Sequence, residues 1–259
     1  MAFIQCDFHS DVLGMACSMN VIIPQPAATQ IGMKGGSKKE KYPVLYLLHG
    51  CSDDHSIWGR RTSIERYVAG MDLAVVMPNV HRSYYTDMKS GGKYWTFISE
   101  ELPKVAQAFF PISSERKDNF VAGLSMGGYG TLKLALSCPD KFAAAASLSG
   151  VTDLYNFWKG MENGSEDFNR IFGSPEEFKG SSNDLLKLSA DLKKSGKEIP
   201  EIFQICGTED FLYDGNINFR NHLQKLGYDF KYKEAPGVHS WDFWDLHIQD
   251  VLKWLPIDK

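Results

Sequence analysis

Five short apolar runs, each ending in a turn and each followed by room for a helix, constrain the fold of this chain more than any other feature. Val44-Leu-Tyr-Leu-Leu48 stops at His49-Gly50, and Leu73-Ala-Val-Val-Met77 stops at Pro78-Asn79. Asn119-Phe-Val-Ala-Gly123, Phe142 to Leu148 and Ile202-Phe-Gln-Ile-Cys206 repeat the pattern, each closing near Gly, Ser or Asp. A strand that is apolar at almost every position is buried on both faces, the condition of a parallel sheet covered by helices on both sides. The spacing between runs leaves space for the crossover helices that parallel neighbours require. Phe230-Lys-Tyr-Lys-Glu234 alternates and is expected nearer an edge. The class is therefore α/β, with a mostly parallel central sheet.

Two stretches depart from this rhythm. The first forty residues hold alternating segments such as Met19-Asn-Val-Ile-Ile23, then a loop rich in Pro, Gly and Lys from Pro24 to Lys41. They predict a leading antiparallel hairpin, while the extreme amino end around His9 has a disordered look. Residues Val151 to Ser189 place Asn163-Gly164, Gly173-Ser-Pro175 and Gly180-Ser-Ser182 between aromatic clusters, the pattern of a broken insertion above the sheet that caps a pocket. No repeat, linker or composition shift divides the 259 residues, so a single domain over 1–259 is expected, with about 151–189 as a cap-like insertion.

Composition narrows the partners. A chain that is 43% apolar and 23% charged is neither collagenous nor disordered, and a net charge of −4 supplies no field to gather phosphate backbones. Nucleic acid is not an expected partner. The longest apolar runs fall far short of the roughly 20 residues that cross a bilayer, and no basic lead with an apolar stretch opens the chain. A cytoplasmic protein without a membrane span is expected. Cys6, Cys17, Cys51, Cys138 and Cys206 are odd in number and lack CxxC spacing, which reads as reduced thiols.

Gly123-Leu-Ser-Met-Gly127 fits G-x-S-x-G, and its setting matters more than its five letters. An apolar strand precedes it, and Gly128 to Leu136 follows with helix-forming residues until Pro139 closes the segment. Ser125 on such a sharp strand-to-helix turn projects above the sheet, and the flanking glycines let strand and helix crowd together. Free N–H groups at the helix start favour a developing oxyanion, with Met126 N–H as one donor. The plainer alternative is a Gly/Ser-rich turn that only starts a helix.

A serine nucleophile needs a base, and imidazole, with an unperturbed pKa of about 6.5, suits the task. Among seven histidines, His9 and His222 are expected at the surface, the latter within the helical pattern Ile217 to Leu226, and His247 falls in a closing helix from Trp241 to Leu255. His239 occupies a loop after the last strand, where a residue reaches over the carboxyl edge of the sheet, and the chain order Ser, acid, His selects it too. Cys206-Gly-Thr-Glu-Asp210 follows a late strand and places Asp210 to accept from His239 Nδ1–H. Glu209 is the near alternative and Asp214 a weaker one; Asp153 belongs to the exit of the preceding strand. The plain role for Asp210 is to cap the following helix.

His49-Gly50-Cys51 ends an early strand, the source of a second oxyanion donor in this architecture, and Cys51 N–H is that candidate. His49 and Trp241 are candidate substrate contacts, Trp241 as a pocket wall two residues past His239. The run from His49 to His55 holds two imidazoles, two carboxylates and a thiol, yet it contains no HxH or HExxH spacing, so neither metal nor cofactor is expected.

At these residues the chain resembles the tributyrin-esterase and esterase D group of α/β-hydrolases, more distantly the feruloyl esterases and antigen 85 mycolyltransferases. The resemblance covers most of the sequence from about Tyr42 onward. It rests on Leu45-Tyr-Leu-Leu-His-Gly50, Glu100-Glu-Leu-Pro103, Ala122-Gly-Leu-Ser-Met-Gly-Gly-Tyr-Gly130, Glu209-Asp-Phe-Leu-Tyr213 and Gly237-Val-His-Ser-Trp241. Tributyrin esterase is the nearest match. The resemblance implies the α/β-hydrolase fold and a serine carboxylesterase for short acyl chains in small-molecule esters, with Ser125, Asp210 and His239 as triad and, as in some members, homo-oligomers. Proteins that hydrolyse S-formylglutathione carry a Ser-Gly-Leu-Thr-Cys type of sequence where this chain has Leu48-His-Gly-Cys51, which leaves thioesters open. A binding module that keeps the scaffold without turnover is the rival from another class.

Overall fold

The computed structural model describes residues 1–32, 35–161 and 165–257. Its centre is an eight-stranded sheet made of β1 (Ala2–Ser10), β2 (Met15–Ile23), β3 (Val44–Leu48), β4 (Ala74–Pro78), β5 (Asn119–Leu124), β6 (Ala144–Leu148), β7 (Glu201–Gly207) and β8 (Lys231–Ala235). The order across the sheet is β1-β2-β4-β3-β5-β6-β7-β8. From β4 to β8 every neighbouring pair is parallel, whereas β1 and β2 pair antiparallel and β2 lies antiparallel to β4. This is the α/β-hydrolase fold expected from the sequence.

The continuously apolar runs are strands buried on both faces. Val44, Tyr46 and Leu48 of β3 face one core, while Leu45 and Leu47 face another on the opposite side. The first core includes Leu132, Leu136, Phe219 and Leu223, from helices Met126–Ser137 and Tyr213–Lys225. The second includes Trp58, Ile64, Ile248 and Val251, from helices Ile57–Arg61, Ile64–Val68 and Trp241–Trp254. Alternation along β3 thus assigns helices to both faces of the sheet.

Three expectations need correction. The amino end is ordered: β1 starts at Ala2, with Ile4, Cys6 and Phe8 turned inward and Phe3, Gln5, Asp7 and His9 outward, the period of a half-buried edge strand. Its turn is fastened by Glu101, whose carboxylate accepts from the Asp11 amide at 2.7 Å and from the Ser10 hydroxyl. The fourth sheet run begins at Ala144 because Phe142 leaves the strand direction and packs edge-on against Tyr46, with centroids 6.1 Å apart. His222 is half-buried, with Nε2 3.0 Å from the Leu186 carbonyl, because the helix carrying it packs against helix Leu185–Ser195.

The segment expected as an insertion lies between β6 and β7 and holds helices Leu154–Lys159, Glu166–Phe172, Pro175–Phe178 and the start of Leu185–Ser195, so its expected end at Ser189 falls inside a helix. Its breaks are caps. Ser165 accepts from the Phe168 amide, Ser174 forms a capping box with Glu177, and Asp184 accepts from the Leu186 amide. Phe168 and Phe172 pack edge-on against Tyr84, at 5.0 and 5.9 Å, and join the insertion to the body. Asn163-Gly164 lies outside the described residues. Among the described residues no helix is long and apolar enough to cross a membrane.

Candidate active site

Ser125 stands between β5 and helix Met126–Ser137 with φ 53° and ψ −116°, a backbone conformation that side chains rarely adopt. The crowding around it explains the glycines. A Cβ on Gly127 would lie 2.5 Å from the Leu48 carbonyl oxygen, and one on Gly123 would lie 2.6 Å from the Gly127 carbonyl. Only residues without side chains let the helix start so close to β3 and β5. The turn lifts Ser125 Oγ to within 3.0 Å of His239 Nε2.

His239 comes from the loop between β8 and helix Trp241–Trp254. Its Nδ1 lies 2.9 and 3.1 Å from the two carboxylate oxygens of Asp210, which stands in the turn after β7. The Asp210 side chain is fully buried, and its Oδ1 also accepts from the Leu212 amide at 2.9 Å. A buried carboxylate so engaged favours the tautomer with hydrogen on Nδ1, leaving Nε2 free to accept from Ser125. Phe211 at 4.6 Å and Trp244 at 4.8 Å flank the imidazole and limit its rotation.

The other carboxylates weighed with Asp210 go elsewhere. Glu209 accepts from the Gly237 amide at 2.6 Å and from the Thr208 hydroxyl at 2.8 Å, bonds that hold its carboxyl below the usual range. Asp214 is exposed, and Asp153 caps helix Leu154–Lys159.

Ser125 and His239 open into a cavity of about 430 Å³ whose lining includes Cys51, Arg82, Tyr84, Phe157, Phe211 and Trp241. The Cys51 amide and the Met126 amide have no hydrogen-bond acceptor among the described residues, so both are available to a ligand. Burial pushes the Cys51 thiol up, so it is a neutral wall group rather than a thiolate. Arg82 Nε donates to Asp167 at 3.0 Å across the rim, tying the insertion to the loop after β4. A larger cavity of about 590 Å³, around Trp95, Lys133 and Asn183, does not include Ser125.

Trp241 lines this cavity and His49 does not. Its ring is 1% exposed, with Nδ1 2.7 Å from the Gly50 carbonyl and Nε2 3.0 Å from the Val80 amide. The strand end turns this side chain inward, away from this cavity. Among the described residues no group of three or more His, Cys, Asp or Glu side chains is arranged to hold a metal ion. Arg82, Tyr84, Phe157 and Phe211 were not singled out from the sequence as pocket residues. Only Phe211 carried a signal, its place directly after Asp210.

Residues 14–255 match the model of the Esterase family. The chain belongs to this family. The acetyl esterase of Caldicellulosiruptor saccharolyticus is 30% identical, over 98% of each chain. Two solved structures from Staphylococcus aureus are each 36% identical over 98% of both chains: the fluorophosphonate-binding serine hydrolase FphF, with a TM-score of 0.89, and the S-formylglutathione hydrolase FrmB, with 0.86. The protein is a carboxylic ester hydrolase, and its partners are small-molecule esters.

Proposed function

We propose that this esterase is a serine carboxylesterase for short acyl chains, acetyl to butyryl, acting through Ser125, His239 and Asp210. The observation that carries the reading is the 3.0 Å approach of His239 Nε2 to Ser125 Oγ while Nδ1 engages a buried carboxylate. Ser125 Oγ attacks the ester carbonyl carbon and its proton passes to His239 Nε2; the oxyanion accepts from the Cys51 and Met126 amides. Collapse breaks the bond to the alcohol, which takes the proton from His239 and leaves an acyl-serine. Water then attacks, giving its proton to His239, and collapse returns Ser125 and a carboxylic acid.

The cavity volume and its walls of Val151, Phe157, Leu212 and Trp241 suit a small apolar acyl group. The resemblance to tributyrin esterase and the similarity to an acetyl esterase support the same range. Thioesters are the second reading, favoured by the similarity to an S-formylglutathione hydrolase; the steps are the same with a thiol leaving.

Ser125→Ala is expected to lower kcat for p-nitrophenyl acetate by on the order of 10⁶ with an unchanged circular dichroism spectrum, and near-normal turnover would reject the mechanism. In the same assay, kcat/KM for wild type should fall for acyl groups longer than butyryl. S-formylglutathione run beside p-nitrophenyl acetate decides between thioester and ester.

A further inference from the structure

Gly50 and Cys51 share a trans peptide, so the Gly50 carbonyl and the Cys51 N–H point in opposite directions. Whatever holds the carbonyl aims the amide. Gly50 sits close to its neighbours: a Cβ there would lie 2.8 Å from Leu124 Cδ1 and 2.9 Å from Asp53 Oδ2, so both side-chain ends would have to move. Glycine is also the residue whose following peptide turns over most readily, so the site needs an external lock. If this peptide turned, a carbonyl would replace the N–H beside Ser125, with its partial negative charge facing the developing oxyanion.

We propose that His49 is a positioning residue for ester hydrolysis, its Nδ1–H locking the Gly50 carbonyl and thereby aiming the Cys51 N–H at the oxyanion. The proposal rests on the reading of Ser125 as nucleophile. The proton assignment follows from the partners. Val80 N–H can only donate, so His49 Nε2, 3.0 Å away, is the acceptor, and the one proton of the neutral ring sits on Nδ1, 2.7 Å from the Gly50 oxygen. Burial pushes the imidazole down to about 4, so this neutral state persists through the neutral range. The residue's own carbonyl is fixed as well: Tyr85 Oη donates to it at 2.9 Å, and Gly127 packs against it. Among the described residues the other group on the Gly50 carbonyl is the Asp53 amide at 3.3 Å, a long and weak bond.

Two substitutions separate the contacts of the ring. Asparagine places its amide where Nδ1 stands and keeps the donor to Gly50; glutamine reaches the position of Nε2 and keeps the acceptor for Val80. His49→Ala and His49→Gln should each lower kcat for p-nitrophenyl acetate by about 10²-fold with KM within about twofold, the signature of a lost oxyanion donor. His49→Asn should recover at least tenfold of that loss. Affinity for a boronic acid that forms a tetrahedral adduct on serine should follow kcat, while affinity for butyrate stays unchanged. Equal kcat for the Asn and Gln variants, or a loss carried in KM, would overturn the proposal. If the variants do not fold, ¹⁵N NMR of the wild-type enzyme tests it directly. The His49 ring should show the Nδ1–H tautomer from pH 5 to 9, and the Nε2–H tautomer would refute the lock. Failure of the underlying reading is distinguishable, because Ser125→Ala would then remain active whatever His49 does.

Discussion

Ser125 joins function and strain in one residue. Holding a side chain at φ 53° and ψ −116° costs on the order of 1–3 kcal/mol, and the surrounding packing keeps it there. Ser125→Ala and Ser125→Gly both remove the hydroxyl, but only glycine relaxes the turn. The glycine variant is expected to be about 1 kcal/mol more stable than the alanine variant by urea denaturation, after its greater unfolded-chain entropy is allowed for; equal midpoints would show an unstrained turn. At this scale the placement of Ser125, His239 and Asp210 was legible, because strand ends and chain order limit which side chains can meet over the sheet. His49 was not. A histidine at a strand end faces either cavity or core, and the choice here depends on the Val80 amide, 31 positions away.

Among the elements, the loops after β7 and β8 matter as a pair. Glu209 N–H donates to the Gly237 carbonyl at 3.1 Å, and the Glu209 carboxylate accepts from the Gly237 amide, so one residue holds both backbone groups of Gly237, two positions before His239. Glu209→Ala leaves one of these bonds and should lower kcat about tenfold, about 1.4 kcal/mol in barrier, with KM little changed. Glu209→Gln keeps an acceptor and should stay closer to wild type; an Ala variant with normal kcat would dismiss the clamp. In the sequence Glu209 is only a rival to Asp210, since two adjacent carboxylates look alike until the turn after β7 buries one and exposes the other. The breaks in the insertion were readable as Gly, Ser and Pro clusters, but their service as helix caps depends on backbone angles that composition does not carry.

Over the whole molecule, buried polar groups connect the parts around the site. Lys133, on the helix that begins after Ser125, donates to Thr86 Oγ1 at 2.8 Å and to Asn183 Oδ1 at 2.7 Å, linking the loop after β4 to the insertion. Burial lowers its pKa to about 7 against the pull of the Asp87 carboxylate, and the Trp95 ring lies 4.6 Å from its ammonium. Neither this link nor the position of β4 between β2 and β3 was legible, because apolar runs announce strands without naming their neighbours. Buried His49 also sets a pH dependence. Its folded pKa of about 4 lies below the ordinary 6.5 of an imidazole, so the unfolded chain takes up the proton first. Stability from this group is complete above about 6.5 and is lost as pH falls toward 4, by up to about 3 kcal/mol. Urea midpoints over that interval should fall more steeply for wild type than for His49→Asn, and parallel slopes would contradict the assignment.

The central claim is that Ser125 is the nucleophile, and covalent trapping tests it most directly. A fluorophosphonate incubated with the native enzyme should add one phosphonyl group per chain, abolish ester hydrolysis and appear by peptide mass spectrometry on Ser125. An adduct on another residue, or full activity with Ser125 modified, would contradict the account.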